Sequence, residues 1–486
     1  MWQHLKGGYL NTKTLVDRVN RVVASIAAGK FTFITLIALV CIGWWTWIGR
    51  FPLELTSDDA LNFSRGVERF SVLEFSPHFP GYPAFIGLSR LAAIWVEPVI
   101  ATVWISLLSA LLIPLLIARL VYLLSGSMPA ALLGSALAYM QPLLASIAIS
   151  GLSDSAAMML FMLALIAALQ KKDVMTGLWI GLMLATRPSY FPLALGMLMF
   201  PLWGGYVGSR LRAYGQAGMV ITVVGLLSLG FIWFHDGIAY FEEGIRFTRG
   251  HFAIWGNTVE GDSASIWQWT LALMKGFGWL GVLVVIGSLL HAVAGFITKP
   301  VKVDCQKQVA LIAAIAGLYW LWITVGQNPD NLRHWAPVLF LFLVVFPVQL
   351  SRLQKVSTVS GRNVSLAGVV GIGAVTYCLL TGYQSVYDVP SKAPIQQAMG
   401  WIKLNPQVRV VGSNYSVNLL REQLGSYAIY DMYYPSSKLA LVNAAKRTPQ
   451  SAWRISGTRL PRQQLIAELR PRFIGERRLY LYQISQ

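Results

Sequence analysis

Apolar runs long enough to cross a bilayer recur through the first 390 residues, and they constrain this chain more than any other feature. Crossing roughly 30 Å of hydrocarbon at about 1.5 Å per residue takes roughly 20 residues. Such runs fall at about 31–49, 98–124, 130–149, 154–170, 174–187, 190–207, 217–235, 271–297, 308–326, 335–350 and 365–384, which predicts a polytopic α-helical membrane protein of about eleven transmembrane helices. A stretch at 80–96 is shorter and broken by Pro83, Arg90 and Glu97, so it reads as an interfacial helix. Counted as a span, it would invert every later one. With 55% hydrophobic and 12% charged residues and a mean hydropathy of +0.56, a cytosolic enzyme, a disulfide-stapled secreted domain and a disordered chain are excluded, because no aqueous fold hides so much apolar surface.

The net charge of +18 would suggest nucleic acid in a soluble protein, but its placement follows the positive-inside rule instead. With the amino terminus inside and eleven spans, the cytoplasmic segments hold 16 basic residues against three acids, and the outer loops hold nine against 14. Residues 1–30 then form a cytoplasmic segment, 31–389 the multispan domain with an outer loop at 50–97, and 390–486 a soluble domain outside the membrane. Phe31 to Trp47 reads as a signal anchor with no cleavage site after it. Trp44, Trp45, Trp47, Trp267, Trp269, Trp279, Trp320, Trp322 and Trp335 fall near outer ends of spans, where an amphipathic ring prefers to sit. Cys41, Cys305 and Cys378 are scattered and form no CxxC or zinc spacing.

After Pro390 the hydropathy falls and helix-like segments (PIQQAMGWIKL, SVNLLREQL) alternate with strand-like ones (VRVVG, YAIYDM, RRLYLYQI), predicting a small α/β appendage. It carries 14 Lys and Arg against four acids, a balance that suits a surface near anionic headgroups.

Polar residues beside apolar helices at a membrane boundary are costly to place and so are functional candidates. The first outer loop is the richest in them: Glu54-Leu-Thr-Ser-Asp58-Asp59-Ala-Leu-Asn-Phe-Ser-Arg65, then Ser76-Pro-His78-Phe-Pro80-Gly81-Tyr82-Pro83. Further on come Asp154 in Ser-Gly-Leu-Ser-Asp-Ser, the Ala-Thr-Arg187-Pro188 break, and Asn331-Leu-Arg333-His334-Trp-Ala-Pro337 opening a late span.

In these motifs, in this order, the chain resembles the membrane-embedded GT-C glycosyltransferases, in the branch of the protein O-mannosyltransferases and aminoarabinose transferases. The resemblance covers most of residues 31–385 and is specific to the superfamily, not to a substrate. It implies inverting transfer of a sugar from a polyprenyl-phosphate carrier to a lipid, glycan or protein acceptor at the outer face of a bacterial inner membrane, in the periplasm. It departs from the aminoarabinose branch at His78, which stands where that branch carries a Lys-Pro-Pro meeting the carrier phosphate.

Each residue has a role in that chemistry beside a plainer one. Asp58 or Asp59 is the base that takes the acceptor hydroxyl's proton, with the other capping the helix that Ala60-Leu-Asn-Phe begins. Asp154 either orients the acceptor or caps a span. Arg333 with His334 is the expected phosphate-binding pair, joined by His78 and Arg187, against readings as a snorkelling Arg, a turn-stabilising His and a kink residue. Tyr82 and the loop residues Glu242, Glu243, Arg246, His251 and Trp255 offer the carboxylate, cation and ring mixture that suits sugar faces, or else an ordinary amphipathic segment. No obligatory metal or other cofactor is expected, although Asp58, Asp59, Asp154, Glu242 and Glu243 include carboxylates that a divalent ion could use.

Two rival classes carry different signatures. A lipid or glycan flippase would show related halves and mid-membrane charges, whereas here the halves do not repeat and the notable charges gather at one face. A polysaccharide polymerase or ligase would centre on large Arg-rich outer loops rather than on an Asp pair and an HFPGYP turn.

Overall fold

The computed structural model describes residues 29–203, 210–254, 286, 288, 304–328, 331–357, 373, 389–447 and 451–484. Apart from residues 286, 288 and 373, the runs at 271–297 and 365–384 lie outside the described residues, as do Trp255, Trp267, Trp269 and Trp279.

Apolar runs become helices because a backbone in hydrocarbon must satisfy its own N–H and C=O groups. Helix α1 (Lys30–Ile48) is followed by two short helices, α2 (Asp58–Glu68) and α3 (Pro83–Ala92). The bundle continues with α4 (Pro98–Ser125), α5 (Met128–Tyr139), α6 (Pro142–Ala148), α7 (Asp154–Leu169), α8 (Asp173–Thr186), α9 (Phe191–Met197), α10 (Phe200–Trp203) and α11 (Arg210–Asp236). Helix α12 (Ala239–Ile254) precedes α13 (Asp304–Gly326) and α14 (Ala336–Ser357). Among the described residues, five helices are long and apolar enough to cross a membrane, or six if the bent pair α5–α6 is one span. The chain is an integral membrane protein.

Two spans expected to be continuous are broken. The run at 130–149 bends by 61° between α5 and α6, because Pro142 lacks the N–H that would continue the helix and Gln141 instead accepts from the Leu143 amide through its side chain at 3.3 Å. The run at 190–207 divides into α9 and α10 after a 3₁₀ turn at Pro188–Tyr190. Trp335 is a second difference: it is 1% exposed and packs edge to face on Trp320 at 5.1 Å. A ring expected at the lipid boundary is core because its helix end is enclosed by protein. Trp44 is likewise buried.

Residues 80–96 do not pass for a span. Helix α3 buries Phe85 and Ile86 on one face, while Leu91, Ile94 and Trp95 at and beyond its end are exposed, the profile of a helix lying along an interface.

The carboxyl-terminal residues form α15 (Pro394–Lys403), β1 (Val410–Ser413), α16 (Val417–Gln423), β2 (Ala428–Asp431), α17 (Pro435–Arg447), β3 (Ala452–Ser456), β4 (Gln464–Leu469) and β5 (Leu479–Gln483). The five strands make one mixed sheet in the order β2-β1-β3-β5-β4, with β1 parallel to both β2 and β3 and β5 antiparallel to β3 and β4. This unit docks on the first loop through specific contacts. Phe473 packs against Phe51 at 4.8 Å and Trp47 at 5.8 Å. Glu54 accepts from the Ala393 amide at 3.1 Å and faces the buried Arg472 at 3.7 Å.

Candidate active site

The Asp-Asp pair opens α2, but neither aspartate caps it: Ser57 does, accepting from the Ala60 amide at 3.2 Å. That leaves both carboxylates to point elsewhere, and one residue of helix turns them about 100° apart. Asp58 shares its side of α2 with Arg65. Its Oδ1 accepts the Leu419 amide at 2.8 Å, with Val417 and Asn418 contributing, while Arg65 meets Glu422 at 2.5 Å. Asp58 therefore caps α16, a helix more than 350 residues away in sequence. Burial pushes its carboxyl up, those amides pull it down, and Asp59 beside it adds to the rise, leaving it above the ordinary range.

Asp59 faces the other way, over Phe63 one turn later. Phe63 is the ring on which the HFPGYP turn settles, with His78 at 5.0 Å, Tyr82 at 4.8 Å and Phe85 at 5.0 Å. His78 Nε2 and the Tyr82 hydroxyl lie 3.2 Å apart. Gly81 supplies the turn's φ of +100°, and Tyr82, with φ +48°, precedes the first-turn Pro83 of α3. Burial drives the Tyr82 hydroxyl up to about 12, so it enters the site as a neutral donor and acceptor.

Charges from three other elements converge on Asp59. Arg333, in a 3₁₀ turn at Leu332–Trp335, places Nη2 3.5 Å from Asp59 Oδ2 and Nε 3.9 Å from Asp154 Oδ2. Asp154 is 1% exposed, and its Oδ1 stands 3.1 Å from Arg187 Nη2. Arg187 also donates to the Ser153 hydroxyl at 3.2 Å and lies over the Tyr190 ring at 5.5 Å. The chain Asp59, Arg333, Asp154, Arg187 thus runs from a carboxylate with 46% of its side chain exposed to a guanidinium with 9%. Burial raises the Asp59 carboxyl, and His78, Arg333 and Arg187 outweigh it, holding the group below the ordinary range.

Local sequence explains each placement. A residue before proline avoids the helical region, so Arg187 leaves α8 extended at φ −153° and aims inward. The Ser-Gly-Leu-Ser-Asp-Ser turn is pinned to α4: Ser106 donates to the Leu152 carbonyl at 2.7 Å, and Ser155 to the Ser106 carbonyl at 2.8 Å. Gly151 has a φ of +69°, and a Cβ there would meet Ala60 at 3.4 Å and Val103 at 3.2 Å. Only glycine lets this turn lie against the start of α2. Arg187 Nε and Arg333 Nε are buried and make no hydrogen bond within the described structure, Arg333 Nε facing Asp154 at 3.9 Å.

Of the expected site residues, the structure brings together Asp59, Asp154, Arg187, Arg333, His78 and Tyr82. His334 is buried, 5% exposed, in the same 3₁₀ turn. Glu242, Glu243 and Arg246 do not join the cluster: they are exposed on α12, and Glu243 pairs with Arg246 at 3.3 Å. That helix contributes its other face instead, with Tyr240 donating to the Pro80 carbonyl at 3.1 Å and Phe247 packing on Phe79 at 5.4 Å. His251 lies in the same helix, and Trp255 is outside the described residues. Tyr190 and Tyr319, buried beside Arg187 and 5.5 Å apart, were not apparent as site residues. Their signal was only a tyrosine in an apolar run. Among the described residues no group of three or more His, Cys, Asp or Glu side chains converges.

Beside the cluster lies a cavity of about 710 Å³ walled by Asp58, Arg333, Asn331 and the carboxyl-terminal sheet. Arg333 is common to both, touching Asp59 on one side and the cavity on the other.

No family model matches the chain, and no curated protein does. Among solved structures it is similar to ArnT from Cupriavidus metallidurans in the apo state, with a TM-score of 0.50 and 12% identity over 93% of this chain and 98% of that one. At this identity the likeness speaks to the fold. The chain shares the fold of that structure.

Proposed function

We propose that this protein is an inverting glycosyltransferase that takes its sugar from a polyprenyl-phosphate carrier, with Asp59 as the base and Arg333 and Arg187 on the carrier phosphate. The observation that carries the reading is the half-exposed Asp59 carboxylate 3.5 Å from the Arg333 guanidinium, which in turn faces the buried Asp154–Arg187 pair. The acceptor's hydroxyl oxygen attacks C1 of the sugar, the C1–phosphate oxygen bond breaks, and its electron pair leaves with the carrier phosphate. Asp59 takes the hydroxyl proton, and configuration at C1 inverts. Arg forks suit phosphate oxygens, and developing negative charge is stabilised most where water is sparse. Held below the ordinary carboxylate range, Asp59 is ionised at neutral pH, the state a base needs, while the same cations lower its proton affinity.

Asp58 is the lesser candidate for the base because its carboxylate is engaged by the amides of α16. Its role in this reading is to hold the carboxyl-terminal domain, residues 390–486, over the site. The exposed apolar residues Ile94 and Trp95 just beyond α3, and Phe234 of α11, favour sideways entry of a lipid donor. The excess of Lys and Arg in the alternate loops favours eleven spans with the site and the last domain at the outer, periplasmic face.

The test is sugar transfer in membranes holding the protein, with radiolabelled polyprenyl-phosphate sugars as donors and the product's anomer determined. Transfer with an inverted anomer supports the reading. No transfer from any donor, or retention at C1, overturns it.

A further inference from the structure

The carboxyl-terminal sheet has a crevice that the reaction above does not use. β1 and β2 are parallel neighbours, yet the helices that follow them leave on opposite faces. Val417, Leu419 and Leu420 of α16 pack with Val411 and Ile429, whereas Leu441 and Ala445 of α17 pack with Met432 and Ala452. The loops that follow the two strands therefore diverge, and a cavity lies beside them. In this chain Asn414 and Tyr415 follow β1, Asp431, Tyr433 and Tyr434 end and follow β2, and all five line the 710 Å³ cavity. That volume lies within the roughly 300–1,000 Å³ of small-molecule sites.

The chemistry of the crevice points to a sugar. Tyr433 and Tyr434 are each 55% exposed and stand edge to face at 5.5 Å, offering ring faces to the CH-rich side of a pyranose. Asp431 is held in place by the Tyr433 amide, which donates to Oδ1 at 2.9 Å. Tyr415 is fixed by Arg477, whose Nη1 donates to its hydroxyl at 2.8 Å. Asp58, Asp431 and Glu476 against Arg333 and Arg477 leave the lining itself nearly neutral, which suits an uncharged ligand.

We propose that this crevice binds a neutral glycan, the non-reacting part of the acceptor, and presents its hydroxyl to Asp59 past Arg333. The assignment of that glycan as acceptor rests on the transferase reading; the binding itself does not.

The test uses the full-length protein in nanodiscs without donor, read by saturation-transfer NMR. The panel holds neutral oligosaccharides of glucose, galactose, mannose and N-acetylglucosamine, with a uronic-acid oligosaccharide and a phosphorylated disaccharide as charged comparators. At least one neutral member is expected to bind the wild type, to bind about tenfold more weakly to Tyr433→Ala or Tyr434→Ala, and to be retained by Tyr434→Trp, which restores a ring face. The proposal is overturned if only charged sugars bind, if no neutral sugar binds, or if both alanine variants bind like the wild type. Because no donor is present, binding that persists in a protein without transferase activity faults the reaction and not the crevice. Transfer to a lipid acceptor with no glycan binding faults the crevice alone.

Discussion

Arg333 reaches Asp59 at 3.5 Å with one guanidinium nitrogen while another lies 3.9 Å from Asp154, so one cation ties the half-exposed carboxylate of the first loop to the buried carboxylate of α7. Through it, charge near the cavity is coupled to charge inside the bundle.

This coupling sets a pH dependence. Asp59 is depressed below its ordinary value of 3.8, and a carboxylate depressed on folding contributes stability above its unfolded value that is lost as pH falls through its folded value. Transfer should therefore hold steady from neutrality down into the ordinary carboxylate range and fall only below it. Arg333→Ala removes one of the depressing charges, so its acid limb should move to higher pH. A pH–rate profile of both proteins checks the direction.

Arg187 and Asp154 form a buried pair, and removing one partner strands the other charge. Arg187→Ala should cost roughly 3–5 kcal/mol, whereas replacing both, as in Arg187→Met with Asp154→Leu, should recover much of the stability without activity. Thermal unfolding in detergent, alongside a transfer assay, separates the two effects.

Asp58 predicts a different outcome, confined to the carboxyl-terminal unit. Asp58→Ala uncaps α16 and should cost about 0.5–2 kcal/mol, seen as faster hydrogen exchange at Leu419. Arg65→Ala removes only an exposed ion pair with Glu422, both side chains about half accessible, and should leave exchange there nearly unchanged.

Gly81 tests the turn. A Cβ at this position would stand 2.8 Å from Val72 on a backbone with φ +100°. Gly81→Ala should cost about 1–3 kcal/mol in strain and should lower transfer by displacing Tyr82 and His78 from Phe63. A lowered unfolding temperature and a reduced rate are the expected results.

How far the sequence could be read depended on whether a feature was local. Hydropathy placed α1 at 31–49 against Lys30–Ile48 and α4 at 98–124 against Pro98–Ser125, because a span needs only its own residues. The break at Gln141–Pro142 was visible as a proline, but an apolar run on both sides hid it. Asp58 and Asp59 could not be told apart, since each was known only by its place in α2. The partners that divide their work, Leu419 for one and Arg333 for the other, come from distant segments. A helical wheel would have shown Asp59 above Phe63 and Asp58 aligned with Arg65. Glu242 and Glu243 misled in the opposite way: their composition suited a sugar site, but the packing of Tyr240 and Phe247 turns their side of α12 outward.

The most direct measurement is sugar transfer by Asp59→Asn and Asp58→Asn proteins inserted to equal levels, assayed with a donor that the wild type uses. The account predicts that Asp59→Asn abolishes transfer, while Asp58→Asn lowers it only through a loosened carboxyl-terminal domain. Full transfer by Asp59→Asn, or loss in Asp58→Asn alone, would contradict it.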